Sequence, residues 1–521
     1  MSAVRAATLV LTAAALWACG EPPAAAPLSH RALAIRPTDP RAPLWRFAAD
    51  DVVERYDSAA GGVRVHFTRA GQHAVPADDG DGDGVPDFVS EVADTYEEVL
   101  AFYAGRGYRP PVSDADQPGD NGGDGRFDVY LIDFARQSDG NFEADACTDG
   151  NPTRCAGHVV QENDFAGYGY PSRQFATRVL ASHEMFHAIQ DAYDADQGVI
   201  LGEGTAVWAS DTFDPSVHEV ASFSAGLLDD PGRSIDVPPG GPVPRFAYGS
   251  GLFFQFLAER YDGDLIRTLW EHLEDGHGLP GGADGDDPRW IDQLGLLLAA
   301  DHGSSFAEAF AEFARWNLYT SRHADASVAY ADGARYPKVV MEAVQAPFVD
   351  DRLRVFHAST QYFSAVPAGR ATMTAALVTT PGHDDDLDGV ALSLATERGV
   401  AWAEVVRAED PSDPPVVDTA GASRFVAMVV NTNPAGDSRR PAICLGDPDE
   451  VAACVADLRG AWDAGPPADA APSEPDRPDA ATLTEPAPAD CILASAHGTP
   501  YNPRAHRHTT PRPPGPPAAR T

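Results

Sequence analysis

His183-Glu184-Met185-Phe186-His187 lies inside a segment that reads as one long helix, from about 172 to 193. Pro171 and Ser172 supply the start signal, and Phe175, Val179, Met185, Phe186 and Ile189 recur at helical spacing, so one face packs against a sheet. Histidines four residues apart stand one turn above the other on a common face, and both imidazoles can reach one metal ion. Glu184 is placed to reach a water in the open position of that ion. Coordination would lower the water's pKa towards about 7, and the carboxylate could take its proton as it attacks a carbonyl. The plainer alternative is a pair of surface histidines on an amphipathic helix.

Zinc hydrolases need a third protein ligand. The metzincin pattern requires Gly at 190 and His or Asp at 193, where this chain has Gln190 and Tyr193, so that arrangement is excluded. Sixteen residues beyond His187 stands Glu203, in Leu201-Gly202-Glu203-Gly204-Thr205-Ala206-Val207-Trp208, at the expected start of a helix over about 203–212. Asp191 and Asp194 are the other candidates. His-Glu-x-x-His followed by Glu-Gly-x-Ala-x-Trp resembles the gluzincin group of zinc metallopeptidases, and among them secreted bacterial metalloproteases that carry an Asp-Gly-x-Pro-Asp segment upstream and a β module downstream. The resemblance covers about 60–320, and 350–460 by architecture only. It implies a zincin-like fold, zinc held by His183, His187 and Glu203, Glu184 as general base, and a protein or peptide substrate lying as an added strand along a sheet edge. By position, His158 to Gln161 is the expected edge, with the Cys147–Cys155 loop at its entrance. Relatives often stabilise the oxyanion with a tyrosine or histidine from a downstream segment. Tyr248, in Arg245-Phe246-Ala247-Tyr248-Gly249, is the candidate for that role, with His218 as a second and a buried core tyrosine as the bland alternative.

Upstream, Asp79-Gly80-Asp81-Gly82-Asp83-Gly84-Val85-Pro86-Asp87 places carboxylates at alternate positions around glycines, as at the start of a calcium loop. An EF-hand wants Glu at the twelfth position, which here is Ser90. The expectation is therefore an irregular calcium site using Asp79, Asp81, Asp83 and Asp87, opening onto a helix over 88–104, against a plain acidic turn. Asp120, Asp124 and Asp128 form a second, less regular acidic cluster.

The wider chain sets the frame. Its 521 residues are 43% hydrophobic, enough for a sizeable core, and 78 acidic against 38 basic side chains leave a formal charge of −40. That charge repels polyphosphate and anionic bilayers, so no nucleic-acid partner is expected, and a membrane only through a lipid anchor. Residues 1–19 read as an export signal, with Arg5 ahead of an apolar run too short to span a bilayer. Leu16-Trp17-Ala18-Cys19 fits either a lipobox, with Cys19 acylated, or ordinary signal cleavage. Residues 20–45 form a linker or short pro-segment. An α+β metallopeptidase domain over 46–345 follows, with strands near 63–67, 127–134 and 157–161 and helices near 251–260, 265–273, 290–300 and 306–319. Short strands at 372–378, 390–394, 401–406 and 425–430 point to a small β-sandwich over 346–460. The Pro/Ala-rich stretch 461–521 reads as a disordered tail. In an exported chain Cys147 pairs with Cys155 and Cys444 with Cys454, leaving Cys491; a metal site of Cys147, Cys155 and His158 is the rival for the first pair.

These readings converge on an exported endopeptidase that binds zinc and calcium, either free or a cell-surface lipoprotein. The alternative is a calcium-stabilised surface-binding or adhesion lipoprotein whose zinc site is not catalytic.

Overall fold

The computed structural model describes residues 34–43, 45–115, 120–148, 151–236, 243–274, 289–379, 384–436 and 438–463. The expected export signal with Cys19, and the expected tail beyond 463 with Cys491, lie outside them. The protein is a mixed α+β structure. Its first sheet contains β1 (Glu54–Asp57), β2 (Val63–Phe67), β3 (Phe127–Ile132), β4 (Gly140–Thr148) and β5 (Asn151–Glu162), in the order β1-β2-β3-β5-β4. β2, β3 and β5 run parallel, while β1 and β4 are antiparallel to their neighbours. Every residue of β2 and β3 is buried between two covered faces, including the polar Arg64, His66 and Asp128, which pair with partners inside the protein.

This topology corrects the expected substrate edge. His158 to Gln161 belongs to β5, which has β3 on one side and β4 on the other, so the edge strand on that side of the sheet is β4. The stretch 140–148 has no β-branched residue before Thr148 and carries little strand signal of its own. It is held in the sheet by hairpin pairing to β5, with Cys147 directly opposite Cys155 and disulfide-bonded to it. That bond also removes the Cys147, Cys155, His158 metal alternative.

One face of the sheet is covered by α1 (Asp87–Gly105) and α2 (Arg173–Gln190). Ser172 caps α2, its hydroxyl accepting the Phe175 N–H at 3.0 Å. α3 (Val199–Phe213) packs against α2 and is extended at its start by one turn relative to expectation, placing Glu203 inside the helix. Gly202 and Gly204 argue locally for a later start, and burial of Ile200 and Leu201 overrides them. Short helices α4 (Glu219–Phe223), α5 (Ala225–Leu228) and α6 (Val243–Gly249) lead into α7 (Gly251–Arg260), α8 (Asp264–Leu273), α9 (Trp290–His302) and α10 (Phe306–Trp316). None of the helices in the described residues is long and apolar enough to cross a membrane.

The remainder is two stacked sheets. β6 (Glu342–Val344), β8 (Ser359–Ala365), β10 (Val390–Arg398), β11 (Ala401–Arg407) and β13 (Arg424–Asn431) form one, in the order β11-β10-β13-β8-β6. β7 (Phe348–Asp350), β9 (Thr372–Val378), β12 (Val417–Asp418) and β14 (Ala442–Gly446) form the other, in the order β12-β9-β14-β7. Strand alternation gives the larger sheet two apolar faces. Leu392, Leu394, Phe425 and Val429 meet Leu377 and Ile443 of the smaller sheet, whereas Tyr362, Ala395, Val426 and Met428 join the core of the helical region. Tyr362 Oη donates to the Ala314 carbonyl and Trp402 Nε1 to that of Leu318, each at 2.8 Å. A helix absent from the sequence expectation, α11 (Pro448–Asp463), covers the outer face of the smaller sheet and is tied to β14 by the Cys444–Cys454 disulfide.

Candidate metal centre

α2 and α3 bring His183, His187 and Glu203 together, with one potential ligand atom from each lying within 4.8 Å of the others. Glu203 Oε2 is 3.3 Å from His183 Nε2 and 3.5 Å from His187 Nε2. The two imidazoles stand edge to face, 4.8 Å between centroids, as the four-residue spacing requires. Of the other candidates for third ligand, Asp194 is engaged in its own turn, Oδ1 accepting Asp196 N–H at 3.0 Å and Oδ2 the Gln197 amide at 2.8 Å. Asp191 is the C-terminal cap residue of α2.

Each imidazole is also held from behind. His187 Nδ1 lies 2.8 Å from Gln190 Oε1, and the Gln190 amide donates to the Gly202 carbonyl (2.8 Å) and Thr205 Oγ1 (2.9 Å), which ties the second histidine to the helix that carries Glu203. His183 Nδ1 faces Glu219 Oε1 at 3.1 Å. Glu219 is positioned by Asp211, at the far end of α3, whose carboxylate accepts the N–H groups of Glu219 and Val220 at the start of α4. Neither Gln190 nor Glu219 was identified from the sequence as a partner of the histidines. Gln190 entered that reading only as a departure from the metzincin pattern, and Glu219 is 36 residues from His183 with no motif around it.

Glu184 is 7% exposed, and its Oε2 accepts the backbone N–H of Phe142, on edge strand β4, at 2.7 Å. The Tyr248 ring stacks against His183 with centroids 5.7 Å apart. Burial, and then the charges of Glu203 and Glu184, push its phenol well above the usual range, so the hydroxyl stays a proton donor. His218 points elsewhere, with Nδ1 4.0 Å from Asp332.

The electrostatics of this pocket favour positive charge. Burial opposes ionisation of His183, yet Glu219, Glu203 and Glu184 outweigh it and hold its pKa well above the imidazole range. Burial likewise opposes the Glu203 anion, and the two imidazoles reverse that, taking it well below the carboxylate range. Three carboxylates around two imidazoles thus draw protons onto the histidines, the same demand that a divalent cation satisfies.

Of the calcium candidates, Asp79, Asp81 and Asp87 bring carboxylate oxygens within 4.8 Å of one another, all exposed. Asp83 is outside that group, and its Oδ1 accepts Val85 N–H at 2.7 Å. The second acidic cluster does not converge. Asp120 accepts from Thr38 Oγ1 at 2.9 Å, Asp124 lies 2.9 Å from Arg64, and Asp128 is buried against Arg36 and His66. Asp124 and Asp128 answer arginines brought from elsewhere in the chain.

No family model matches the chain, and no curated protein is significantly similar to it.

Proposed function

We propose that the protein is a zinc-dependent endopeptidase of zincin-like fold, exported and carrying calcium at the Asp79–Asp87 loop. The observation that carries this reading is the convergence of His183, His187 and Glu203 beside a buried carboxylate, Glu184, that reaches the edge strand of the sheet. Two imidazoles and a carboxylate are a donor set suited to zinc, with room for an open position. Zinc bound there supplies a Lewis acid that acidifies water and polarises a carbonyl. Glu184 then takes the proton of the attacking water and passes it to the leaving amine. Tyr248, a protonated donor beside His183, stabilises the developing oxyanion. An extended peptide would lie along β4, the sheet edge beside Glu184. Two disulfides are compatible with an oxidising compartment.

Digestion of an unfolded protein by the purified chain, beside its Glu184→Gln form, tests the reading with zinc content measured in both. Cleavage by the wild type alone, with about one zinc in each, is the expected result. Zinc in both without cleavage in either would move the site to a structural role and favour the surface-binding alternative. Absence of zinc from both would remove the assignment.

A further inference from the structure

On one side of Glu184 the edge strand that faces it is met by the backbone of Ala34. Along β4, Phe142 N–H and the Ala144 carbonyl leave the strand on the same side, away from β5, because alternate residues share an orientation. Phe142 N–H reaches Glu184. The Ala144 carbonyl is already taken, accepting the backbone N–H of Ala34 at 2.8 Å. Just beyond, the register between β4 and β5 slips between Ala144 and Ala146, making Asp145 the bulged residue and ending the regular edge.

The segment that makes this contact is anchored two residues on. Arg36 is 2% exposed, and its guanidinium pairs with Asp114, Asp128 and, at 2.6 Å, Asp145, the bulge residue itself. Tyr130 Oη lies 3.4 Å from the same guanidinium, and His158 Nδ1 is 3.1 Å from Asp145. Withdrawing Arg36 would leave three buried or nearly buried carboxylates without their counter-ion, so the segment is a fixed part of the wall. Phe47 and Trp45 further along pack with Tyr130, Ile132 and Phe134 on the same side of the sheet.

We propose that Ala34 and Arg36 form a cap that closes the substrate groove at Ala144, so that this protein accepts a peptide extended on only one side of the scissile bond. The inference rests on the hydrolase reading above and narrows its substrate class to bonds near one end of an accessible segment. Among the described residues no N-terminal backbone bonds Phe142 or Gly140, whose N–H and carbonyl meet Glu184 and Ser138 Oγ, whereas a peptide added along β4 meets Ala34 about two residues in the other direction.

The test has two arms. In the first, hydrogen exchange on the full chain reads the Ala34 amide, expected to be protected about tenfold or more relative to a free amide. In the second, a bond found to be cut in a reduced, alkylated protein is placed in synthetic peptides lengthened one residue at a time on either side. For the wild type, kcat/KM should rise with length on one side and level off after about two residues on the other. Ala34→Pro, which deletes the N–H and leaves Arg36 in place, should restore a gain of about two- to tenfold on the levelled side only, the range one hydrogen bond contributes. Equal gains on both sides in the wild type overturn the proposal. Free exchange at Ala34 overturns it whether or not any peptide is cut, and so does not depend on Ala34→Pro folding normally. A protected Ala34 with no peptide cut at all would instead remove the hydrolase reading, and with it the role of the cap in substrate choice.

Discussion

His183 sits between two carboxylates: Nε2 faces Glu203 at 3.3 Å and Nδ1 faces Glu219 at 3.1 Å. Glu203 belongs to the group that could hold a metal, and Glu219 stands behind the ring, where an outer partner would orient a ligating histidine. Glu219→Ala should lower zinc affinity about 10- to 100-fold, the usual effect of losing an outer partner of a ligating histidine. Glu219→Gln, which keeps an acceptor, should recover most of it. Competition with a chelator measures both.

Glu203 is expected to be a direct ligand and Asp194 is not. Glu203→Ala should therefore cost more zinc affinity than any outer partner, beyond about 100-fold. Asp194→Ala should leave zinc content unchanged. Metal analysis after dialysis distinguishes the two variants.

Glu162 ties stability to pH away from the metal centre. Its carboxyl is 2% exposed and accepts the Phe134 N–H at 2.9 Å and the Tyr168 hydroxyl at 2.7 Å. Burial lifts its pKa from 4.5 to about 7 against the lowering effect of those hydrogen bonds, and the neighbouring carboxylates Asp133 and Asp164 add to the rise. The folded protein holds this proton more tightly than the unfolded chain. Its contribution is present in full below about 4.5 and is lost as pH climbs to about 7, on the order of 3 kcal/mol. Glu162→Gln keeps an acceptor for both donors and should flatten that slope in denaturant titrations at about pH 5, 6 and 8.

The paired sheets and the helices should unfold together, because Tyr362, Ala395, Val426 and Met428 belong to the same core as the helical region. Calorimetry is expected to show one transition. Tyr362→Ala should cost about 3–5 kcal/mol, as large aromatic truncations do. Two separate transitions, with Tyr362→Ala shifting only the later strands, would contradict this.

Calcium at Asp79, Asp81 and Asp87 would stabilise by mass action, about 2.7 kcal/mol at a hundredfold excess over Kd. The melting temperature should rise with added calcium in the wild type and not in a variant carrying Asp79→Asn and Asp81→Asn. An unchanged melting temperature in the wild type would return this loop to a plain acidic turn.

The elements legible in the sequence are those with strong local signals. Ser172 and the apolar spacing of Phe175 to Ile189 mark α2 almost to its ends, and Gly251–Arg260 is a helix over the expected range. Strand β4 was missed because it owes its conformation to β5 and the Cys147–Cys155 link. Helix α11 was missed because its Ala- and Asp-rich sequence looks like the start of the tail. Val451, Val455 and Leu458 make it a helix by covering the sheet.

By itself the sequence determined what is set within a turn or two of chain: a capped helix carrying two histidines and Glu184, a glycine-rich acidic loop, and cysteines close enough to pair. Only the tertiary structure decided which distant carboxylate meets those histidines, that Glu219 and Gln190 stand behind them, which strand forms the edge, and that Arg36 closes it. Helix periodicity and caps are local and leave a pattern. Contacts between residues 20, 36 or 109 positions apart, such as His183 with Glu203, His183 with Glu219 or Arg36 with Asp145, come from packing and charge pairing that no short window of sequence records.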